Sequence, residues 1–377
     1  MRVVHITPAF HPNTGGIETL LSLLLPELRK SGGVDASVMV GAPNIWTEAF
    51  THIGVEEHDE LDIRVARFGR FGDTAIDSVA THLRVAAAVR ELMERWVPAI
   101  LHIHGPSRLA YPAYRTARSL GIPQVLHIHG SVKGNFSPAF IRMCQEVETV
   151  IVPSQYVADS LYRDAGRKTA VHVCFNAVKT PVSPARIRPG LHSDSPRLIA
   201  AGRLEANKGH DIAIHSVRRL VDSRLPVTLT IFGEGPERQS LEELAVSLKI
   251  RDHVMFNGPI SHDDFLAGLE TYDFVLVPSR GFEGFGLVAA EAASRAVICI
   301  ASDTGGLREV VVHGVTGLLV PENDPDAIVN GVLGLVSDMP KFNMMRLAAR
   351  NHAESAMSLQ ALASSILNVY ATLAKGA

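Results

Sequence analysis

Hydrophobic and polar positions divide the first half of the chain into short apolar segments that alternate with longer segments of helical period. RVVHIT has the length of a buried strand, and GIETLLSLLLPELRKSG follows with apolar positions three or four residues apart. AILHIHG and PQVLHIHG then bracket the helix-like AYPAYRTARSLG. This alternation predicts an α/β protein with a parallel sheet covered by helices on both faces.

The alternation stops at 178–196, where VKTPVSPARIRPGLHSDSP contains four prolines and has little apolar rhythm. A second strand–helix series begins at RLIAAGRL, and the chain from about 325 onward has a helical pattern. We predict a first domain at 1–180, a linker at 181–196 and a second domain at 197–355, followed by a separate helix at 356–377.

Composition agrees with two globular domains, because 377 residues exceed the size at which a single core usually stops growing. Hydrophobic residues make up 46% of the chain and charged residues 20%, and the net charge is 36 − 39 = −3. This balance excludes a disordered chain and gives no bulk positive charge for nucleic acid.

The three cysteines lie far apart in the sequence and predict buried thiols in a reducing compartment. The first residues, MRVVHITPAF, enter a strand pattern without a signal-peptide core, and no segment approaches 18 uninterrupted apolar residues. We therefore expect a cytoplasmic protein with no transmembrane segment, for which peripheral contact with the inner face of the membrane stays open. The oligomeric state is left undetermined.

The motif LHIHG occurs twice, at 101–105 and 126–130. Residues two apart share a face of a strand, and the short helix between the motifs predicts two neighbouring parallel strands. Both histidine pairs then lie at carboxyl ends of strands, where open α/β sheets bind ligands. A zinc site is one interpretation, and histidines lining a sheet edge are the other. Because no carboxylates stand beside them to orient metal ligands, we expect no bound metal and a chemical role for at least one histidine.

The second domain contains the segment PSRGFEGFGLVAAEAASRAV. Gly284 and Gly286 allow close approach of the backbone to a ligand, and a helix beginning near Gly286 offers free N–H groups to a phosphate. Glu291, inside that helix, suits the vicinal hydroxyls of a ribose. A solvated glutamate on a surface helix would explain Glu291 alone, without the glycines around Phe285.

Two cations follow the first strand of the second domain, in AAGRLEANKGHD. Arg203 and Lys208 taken alone are consistent with a solvated loop. Beside a helix terminus that binds phosphate, they predict a clamp for a diphosphate leaving group. A further charged segment, HDELD at 58–62, predicts either a specificity loop or a solvated turn.

The chain resembles the retaining glycosyltransferases of family 4. The resemblance covers nearly the whole length and is strongest from 197 to 322. It rests on segments that occur in family order: PNTGGIE, IPQVLHIHG, VIVPSQYVAD, AAGRLEANKG, FGEGPE, VMFNG, the paired-glutamate segment and SDTGGLREVVVHGVTGLLVP. The resemblance implies a GT-B fold, in which two Rossmann-like doubly wound domains face a central cleft. It also implies that the helix at 356–377 returns to the first domain.

The resemblance also implies roles for individual residues. His129 would contact the transferred sugar, Arg203 and Lys208 would bind the diphosphate, and Glu283 would contact sugar hydroxyls, which makes these four the predicted catalytic residues. His102, His104 and His127 receive no role from the resemblance. The predicted donor-binding residues are Gly15, Gly16, Gly202, Gly258, Gly284, Phe285, Gly286, Leu287 and Glu291.

The implied reaction moves a sugar from a nucleoside-diphosphate-sugar to a hydroxyl acceptor with retention at the anomeric carbon. We expect UDP-sugars to be favoured over GDP-sugars, and the acceptor to be a saccharide, a lipid-linked molecule or a small molecule. The resemblance implies no cofactor, and without an Asp-x-Asp motif in a donor loop we expect no metal requirement. The alternatives are a nucleotide-sugar epimerase or a phosphorylase on the same fold, or a non-catalytic protein that binds sugar nucleotides.

Overall fold

The computed structural model describes residues 1–8, 10, 16–41, 55–60, 63–68, 79–107, 109–130, 137–167, 170–180, 190–191 and 195–376. The chain forms two compact units. The first consists of Met1–Phe175 together with Leu359–Ala377, and the second of Asn176–Ser358. Most of the predicted linker at 181–196 lies outside the described residues.

The first unit contains an eight-stranded sheet with the order β3-β4-β2-β1-β5-β6-β7-β8. Neighbouring strands are parallel except for the pair β3 and β4. The strands are β1 Arg2–Thr7, β2 Asp35–Gly41, β3 Val55–Glu60, β4 Ile63–Phe68, β5 Ile100–His104, β6 Gln124–His127, β7 Thr149–Val152 and β8 Val171–Val173.

Six helices accompany this sheet in the described residues of the first unit. Ser137 and Ser154 cap two of them by accepting hydrogen bonds from the amides of Phe140 and Val157. The helices are α1 Gly16–Gly32, α2 Val79–Trp96, α3 Ala110–Ser119, α4 Pro138–Glu146, α5 Gln155–Asp164 and α13 Leu359–Gly376. The last of these packs against α1, so the final segment of the chain completes the first unit.

The central strands of the first sheet are buried along their whole length because helices cover both faces. In such a sheet the usual occupants are apolar, yet β1, β5 and β6 also bury imidazoles near their carboxyl ends. His5, His102, His104 and His127 are each 0% exposed. The sheet therefore contains a polar cluster that the apolar pattern alone does not explain.

The acidic segment at 58–62 lies partly in strand β3, Val55–Glu60, which pairs antiparallel with β4 at the edge of the first sheet. For residues 58–60 the expectation of a loop or a turn was therefore wrong, and 61–62 lie outside the described residues. The sequence VEEHDE lacks the apolar alternation of a strand, because an edge strand can keep charged side chains that discourage further pairing.

The second unit contains a six-stranded parallel sheet with the order β11-β10-β9-β12-β13-β14. A core that includes Leu198, Leu229 and Phe274 packs against it. This all-parallel sheet, with the first one, confirms the prediction of an α/β protein built from two doubly wound sheets. The strands are β9 Arg197–Ala201, β10 Thr228–Phe232, β11 Val254–Gly258, β12 Phe274–Val277, β13 Ile298–Ser302 and β14 Gly317–Val320.

The helices of the second unit follow its strands in the alternation that the sequence predicts. Short 3-10 turns at Ala206–Lys208 and Arg251–His253 precede α6 and β11. The helices are α6 His210–Asp222, α7 Arg238–Ser247, α8 His262–Leu269, α9 Leu287–Ser294, α10 Leu307–Val310, α11 Pro325–Val336 and α12 Met339–Ala356.

One helical stretch in the described residues, Met339–Lys375, could cross a membrane by length and composition, with a mean hydropathy of 1.2. It comprises α12 and α13, and 39% of its most apolar window is buried inside the protein. α12 buries Phe342 in the core of the second unit, and α13 buries Ile366 and Tyr370 in the first. A single such stretch is weak evidence for a span, because core helices pass the same test.

Candidate active site

The predicted donor-site residues of the second unit follow two strands that lie side by side. β9 and β12 are neighbours at the point where the strand order of the sheet reverses. Arg203 and Lys208 follow β9, and Glu283 follows β12. Open α/β sheets bind ligands beyond the carboxyl ends of strands at this switch point. The topology therefore brings two separate sequence segments to one place.

Lys208 and Glu283 are in direct contact. The Nζ of Lys208 donates a hydrogen bond to Oε2 of Glu283 at 2.8 Å, and the hydroxyl of Ser279 donates to the same oxygen at 3.3 Å. The two charged side chains are only 31% and 18% exposed, so solvent screens their attraction less than at an open surface. A cation and a carboxylate are thus fixed together beside the carboxyl end of β12.

The loop that carries Lys208 is packed too closely to admit a side chain at its end. Gly209 has φ +67°, and a Cβ there would lie 2.0 Å from the carbonyl oxygen of Pro278. Pro278 follows β12, so the backbones of the two loops touch. This contact sets the position of the lysine relative to the glutamate.

Arg203 has a different partner from Lys208. Its side chain is 78% exposed and pairs with Glu205 at 2.6 Å. An exposed arginine with one local partner can turn toward a diphosphate at small energetic cost, because surface ion pairs contribute little to stability. The ion pair of Arg203 with Glu205 is therefore distinct from the pair of Lys208 with Glu283.

Arg280 links the same two loops, and sequence reasoning missed it. Its guanidinium donates to both carboxylate oxygens of Asp211, at 2.9 and 2.6 Å, and to the carbonyl of Ala206 at 2.8 Å. It also donates to Oδ1 of Asn323 at 2.5 Å. Bidentate pairing holds an arginine in one orientation, so Arg280 fastens the turn before Lys208 to the segment before Glu283. No local motif marks this residue.

A glycine pair supports the backbone of the glutamate loop. The amide of Gly306 donates to the carbonyl of Glu283 at 2.8 Å. A Cβ on Gly305 would lie 2.3 Å from that carbonyl oxygen, and one on Gly306 would lie 2.5 Å from the carbonyl oxygen of Gly284. The motif SDTGGLREV therefore contains two positions at which only glycine allows the loop its observed place.

Helix α9 begins directly after the glutamate loop. Gly286 is its N-cap residue, with φ +95°, and has no side chain to cap the first turn. The first amides of a helix have no acceptor inside it and carry the positive end of the helix dipole. The segment of Gly284, Phe285, Gly286 and Leu287 therefore leads into an uncapped terminus of the kind that binds phosphate.

Glu291 is buried, which overturns the alternative of a solvated surface glutamate. Its residue is 4% exposed, and its Oε1 lies 2.6 Å from Nε2 of His262. The carboxylate raises the pKa of His262 above 6.5, chiefly through this hydrogen bond and also through its charge. Sequence reasoning missed His262, which is 29 positions away on α8 with no pattern that joins the two residues.

The raised pKa of His262 predicts a pH-dependent contribution to stability. Because the folded pKa lies above the unfolded value of 6.5, the contribution is complete below 6.5 and is lost as pH rises through the folded pKa. We expect His262→Gln to lower the melting temperature at pH 6 more than at pH 9. The effect should be below about 1 kcal/mol, because the side chain is partly exposed. A deficit that is constant or grows with pH would contradict this assignment.

Glycines also join the carboxyl ends of three neighbouring strands in the second unit. The amide of Gly233 donates to the carbonyl of Gly258 at 2.8 Å, and the amide of Gly202 donates to the carbonyl of Phe232 at 3.0 Å. A Cβ on Gly233 would lie 1.9 Å from the carbonyl oxygen of Gly202. With φ values of +146° and +70°, Gly202 and Gly258 adopt conformations that favour glycine. The backbones at the ends of β9, β10 and β11 are thus packed directly against one another, with no side chains between them.

The repeated histidine motifs lie side by side in the first unit, as the sequence predicts. β5 and β6 are parallel neighbours with His104 in register with His127. Nδ1 of His104 lies 2.9 Å from Nε2 of His129, which is half-buried just after β6. Nε2 of His104 lies 2.9 Å from Nδ1 of His5, a residue of β1 that sequence reasoning missed.

His102 has a separate partner. Its Nδ1 lies 2.5 Å from the hydroxyl of Tyr370 on α13.

Of the two glycines predicted to approach the donor from this unit, Gly16 is the first residue of α1 and Gly15 lies outside the described residues.

Two family models match the chain. The model described as Glycosyltransferase Family 4 matches residues 14–181, and the model described as Glycosyl transferases group 1 matches residues 184–352. Together with the two doubly wound sheets, these matches show that the chain belongs to the GT-B glycosyltransferases of family 4 and is a glycosyltransferase.

Individual relatives agree with this assignment. The chain is 29% identical over 370 residues to a GDP-mannose-dependent alpha-(1-6)-phosphatidylinositol monomannoside mannosyltransferase of Mycolicibacterium smegmatis, with 92% of each chain covered. A glycosyltransferase structure from Rickettsia africae has a TM-score of 0.78 at 17% identity, covering 100% of this chain and 99% of that one. The UDP complex of HepE from Anabaena has a TM-score of 0.77 at 18% identity, covering 99% and 100%. At these identities the two solved structures show the fold.

Proposed function

We propose that the protein transfers a sugar from a nucleoside-diphosphate-sugar to a hydroxyl acceptor with retention at the anomeric carbon and without a metal ion. The observation that carries the proposal is the contact between Lys208 and Glu283 beside the uncapped terminus of α9. A fixed cation and the amides at the start of a helix suit a diphosphate, and a neighbouring carboxylate suits sugar hydroxyls.

In the proposed step the bond between the anomeric carbon and the diphosphate oxygen breaks first. The acceptor hydroxyl then attacks from the face that the diphosphate leaves, and its proton passes to a diphosphate oxygen. Negative charge builds up on the leaving group, where Lys208 and the dipole of α9 would stabilise it. By the family resemblance, Arg203 would add a second cation, and His129 would contact the transferred sugar.

A double displacement would require a carboxylate nucleophile close to a second acidic group. In the described part of the second unit, the two candidate carboxylates are both engaged. Glu283 is bound by Lys208, and Glu291 by His262. This pairing favours attack from the leaving-group face over a covalent glycosyl-enzyme intermediate.

Buried Glu291 is proposed to accept hydrogen bonds from the ribose, and the backbone at Gly258 to meet the base. Backbone contacts of this kind discriminate weakly between bases, so the choice of nucleotide needs a direct comparison. UDP-sugars remain the proposed donors, in line with the UDP complex of the Anabaena neighbour. The relative that is named GDP-mannose-dependent makes GDP-mannose the alternative to test.

The deciding experiment measures release of nucleoside diphosphate from UDP- and GDP-sugars in the presence of EDTA, with a panel of saccharide, lipid-linked and small-molecule acceptors. We expect turnover with one donor class, a product of the donor's anomeric configuration by NMR, and no loss of activity with the chelator. An inverted product or an activity abolished by EDTA would contradict the mechanism.

Donor binding can be tested without knowing the acceptor. A nucleotide at 100 times its dissociation constant should stabilise the protein by about 2.7 kcal/mol, which a thermal-shift assay detects. Glu291→Gln should reduce this shift, because it removes the negative charge of the carboxylate that is proposed to accept hydrogen bonds from the ribose hydroxyls. Glu243→Gln, on the exposed face of α7, is the matched control and should leave the shift unchanged. Equal shifts in both variants would remove Glu291 from the donor site.

A further inference from the structure

Five imidazoles lie together at the carboxyl ends of three neighbouring strands of the first unit. The strands β1, β5 and β6 are adjacent, so residues far apart in the sequence meet there. Ring centroids are 4.0 Å apart for His127 and His129, 4.2 Å for His102 and His104, and 5.0 Å for His5 and His102. The proposed transfer reaction uses only His129 of these five.

The interior members of the cluster are held in their neutral form. Burial lowers the pKa of His5 to about 3 and lowers the pKa of His102, His104 and His127 well below 6.5.

Hydrogen bonding does not explain why the imidazole of His127 is buried in this cluster. It is fully buried, and among the described residues neither Nδ1 nor Nε2 has a hydrogen-bond partner. Buried polar side chains are nearly always hydrogen-bonded, because a buried group without a partner gives up its hydrogen bonds to water and gains none in return. A metal ion bound by a ring nitrogen of His127 would compensate for these missing hydrogen bonds.

We propose that His104, His127 and His129 form a site for a divalent transition metal of the zinc type, and that a bound ion inhibits the enzyme. One nitrogen from each residue lies within 4.8 Å of the others. Three imidazoles with an open fourth position are an established zinc-binding arrangement. The ion would enter from the side of His129, which is half-buried while the other two are buried.

The distance between His104 and His129 needs only a small adjustment to accept an ion. Two nitrogens bound to zinc at about 2.0–2.1 Å in a tetrahedral site stand about 3.4 Å apart. Nδ1 of His104 and Nε2 of His129 now lie 2.9 Å apart, so they would separate by roughly half an ångström. The hydrogen bond between them would be replaced by two metal–nitrogen bonds.

His5 would orient the central ligand. If Nδ1 of His104 binds the ion, its proton lies on Nε2, which is 2.9 Å from Nδ1 of His5. His5 can accept that proton in a hydrogen bond and so fix the tautomer of His104. Such second partners of metal-bound histidines are the usual means of holding the ring in place.

The second grouping, of His5, His102 and His104, is less suited to a metal ion. Nδ1 of His102 already has the hydroxyl of Tyr370 as a partner at 2.5 Å. All three of its members are fully buried, so an ion would have no exposed side from which to enter. These observations assign the ion to the grouping that includes His129.

Inhibition by the ion rests on the proposed function, in which His129 contacts the transferred sugar. A metal-bound His129 has its Nε2 occupied and its ring fixed, so it can no longer adapt to the donor. His129 can then either contact the transferred sugar or bind the metal ion, but it cannot do both at once. The proposed transfer needs no metal, and removal of the ion restores it.

The test begins with wild-type protein that has been treated with a chelator and dialysed. Equilibrium dialysis with Zn²⁺ should give one ion per chain, and Co²⁺ should give the intense visible absorption of a tetrahedral site. His127→Leu should weaken binding by at least about 100-fold and His5→Leu by about 10–100-fold, as for a ligand and its second partner. His172→Leu, on β8 of the same sheet, is the matched control and should bind normally.

Zn²⁺ should inhibit donor turnover by the wild type and by His172→Leu, while His127→Leu keeps its turnover in Zn²⁺. Absence of stoichiometric binding, or unchanged binding by His127→Leu, would overturn the site. If His127→Leu does not fold, the Co²⁺ spectrum of the wild type still tests whether the metal site exists, because a spectrum without tetrahedral absorption would overturn it. Binding without inhibition would overturn the inhibitory role, and a metal-free wild type that turns over no donor would contradict the proposed function instead.

Discussion

Lys208→Ala should lower the rate of sugar transfer by about 10²-fold or more, while the protein remains folded. Removal of one preorganised group that stabilises transition-state charge typically has an effect of this size. Lys208 is suited to that role because Glu283 and the contact of its loop with Pro278 hold it in place. The measurement is kcat/KM with the best donor, together with the melting temperature of the variant.

The control for this prediction is Lys341→Ala, which removes an exposed lysine from α12 of the same unit and should leave turnover unchanged. A double-mutant cycle with Glu283→Gln separates two causes of the loss. If Lys208 acts only by holding Glu283, the double variant should be no worse than Glu283→Gln. Near-normal turnover by Lys208→Ala would remove the lysine from the mechanism.

Gly305→Ala should lower transfer by about 10²-fold through a displacement of the glutamate loop, although Gly305 is not predicted to touch the substrate. Its Cβ would lie 2.3 Å from the carbonyl oxygen of Glu283, at a residue with φ +54°. The loop backbone must therefore move, and a displacement of about 1 Å at a reacting group can cost that much in rate. Overpacking should also lower the stability by about 1–3 kcal/mol.

Gly334→Ala provides the matched control for Gly305→Ala. Gly334 is exposed in α11, and a Cβ there would meet no atom within 4 Å. Alanine in a helix should raise the stability by about 0.5–1 kcal/mol and leave activity unchanged. If Gly305→Ala has wild-type kcat/KM, the packing of the glycine pair does not set the position of Glu283.

The architecture was predictable because both sheets are doubly wound. Strands buried on both faces give short apolar runs, and helices that cover them give the longer amphipathic segments. The pairing of β5 with β6 followed from the short helix between them. The charged edge strand β3 lacks such a pattern and escaped prediction. The helices α4 and α5 were missed although each has one buried face.

The candidate site was predictable where its residues stand together in the sequence. Lys208, Glu283 and Glu291 belong to segments whose glycines and spacing point to a phosphate and a ribose. Their partners were not predictable, because tertiary structure alone brings them together. His5 meets His104 across 99 positions, and Arg280 meets Asp211 across 69. Only the order of strands in the sheet and the packing of its loops create these contacts.

The return of α13 to the first unit has a consequence for synthesis of the protein. The second unit is a continuous stretch, Asn176–Ser358, whereas the first needs residues from both sides of it. During translation the second unit is therefore complete before the first, although residues 1–175 of the first unit leave the ribosome before it. Until Tyr370 leaves the ribosome, His102 lacks its hydroxyl partner, and the surface of α1 that α13 covers is open to solvent or to chaperones. A helix made after the whole second unit therefore closes the unit that was begun before it.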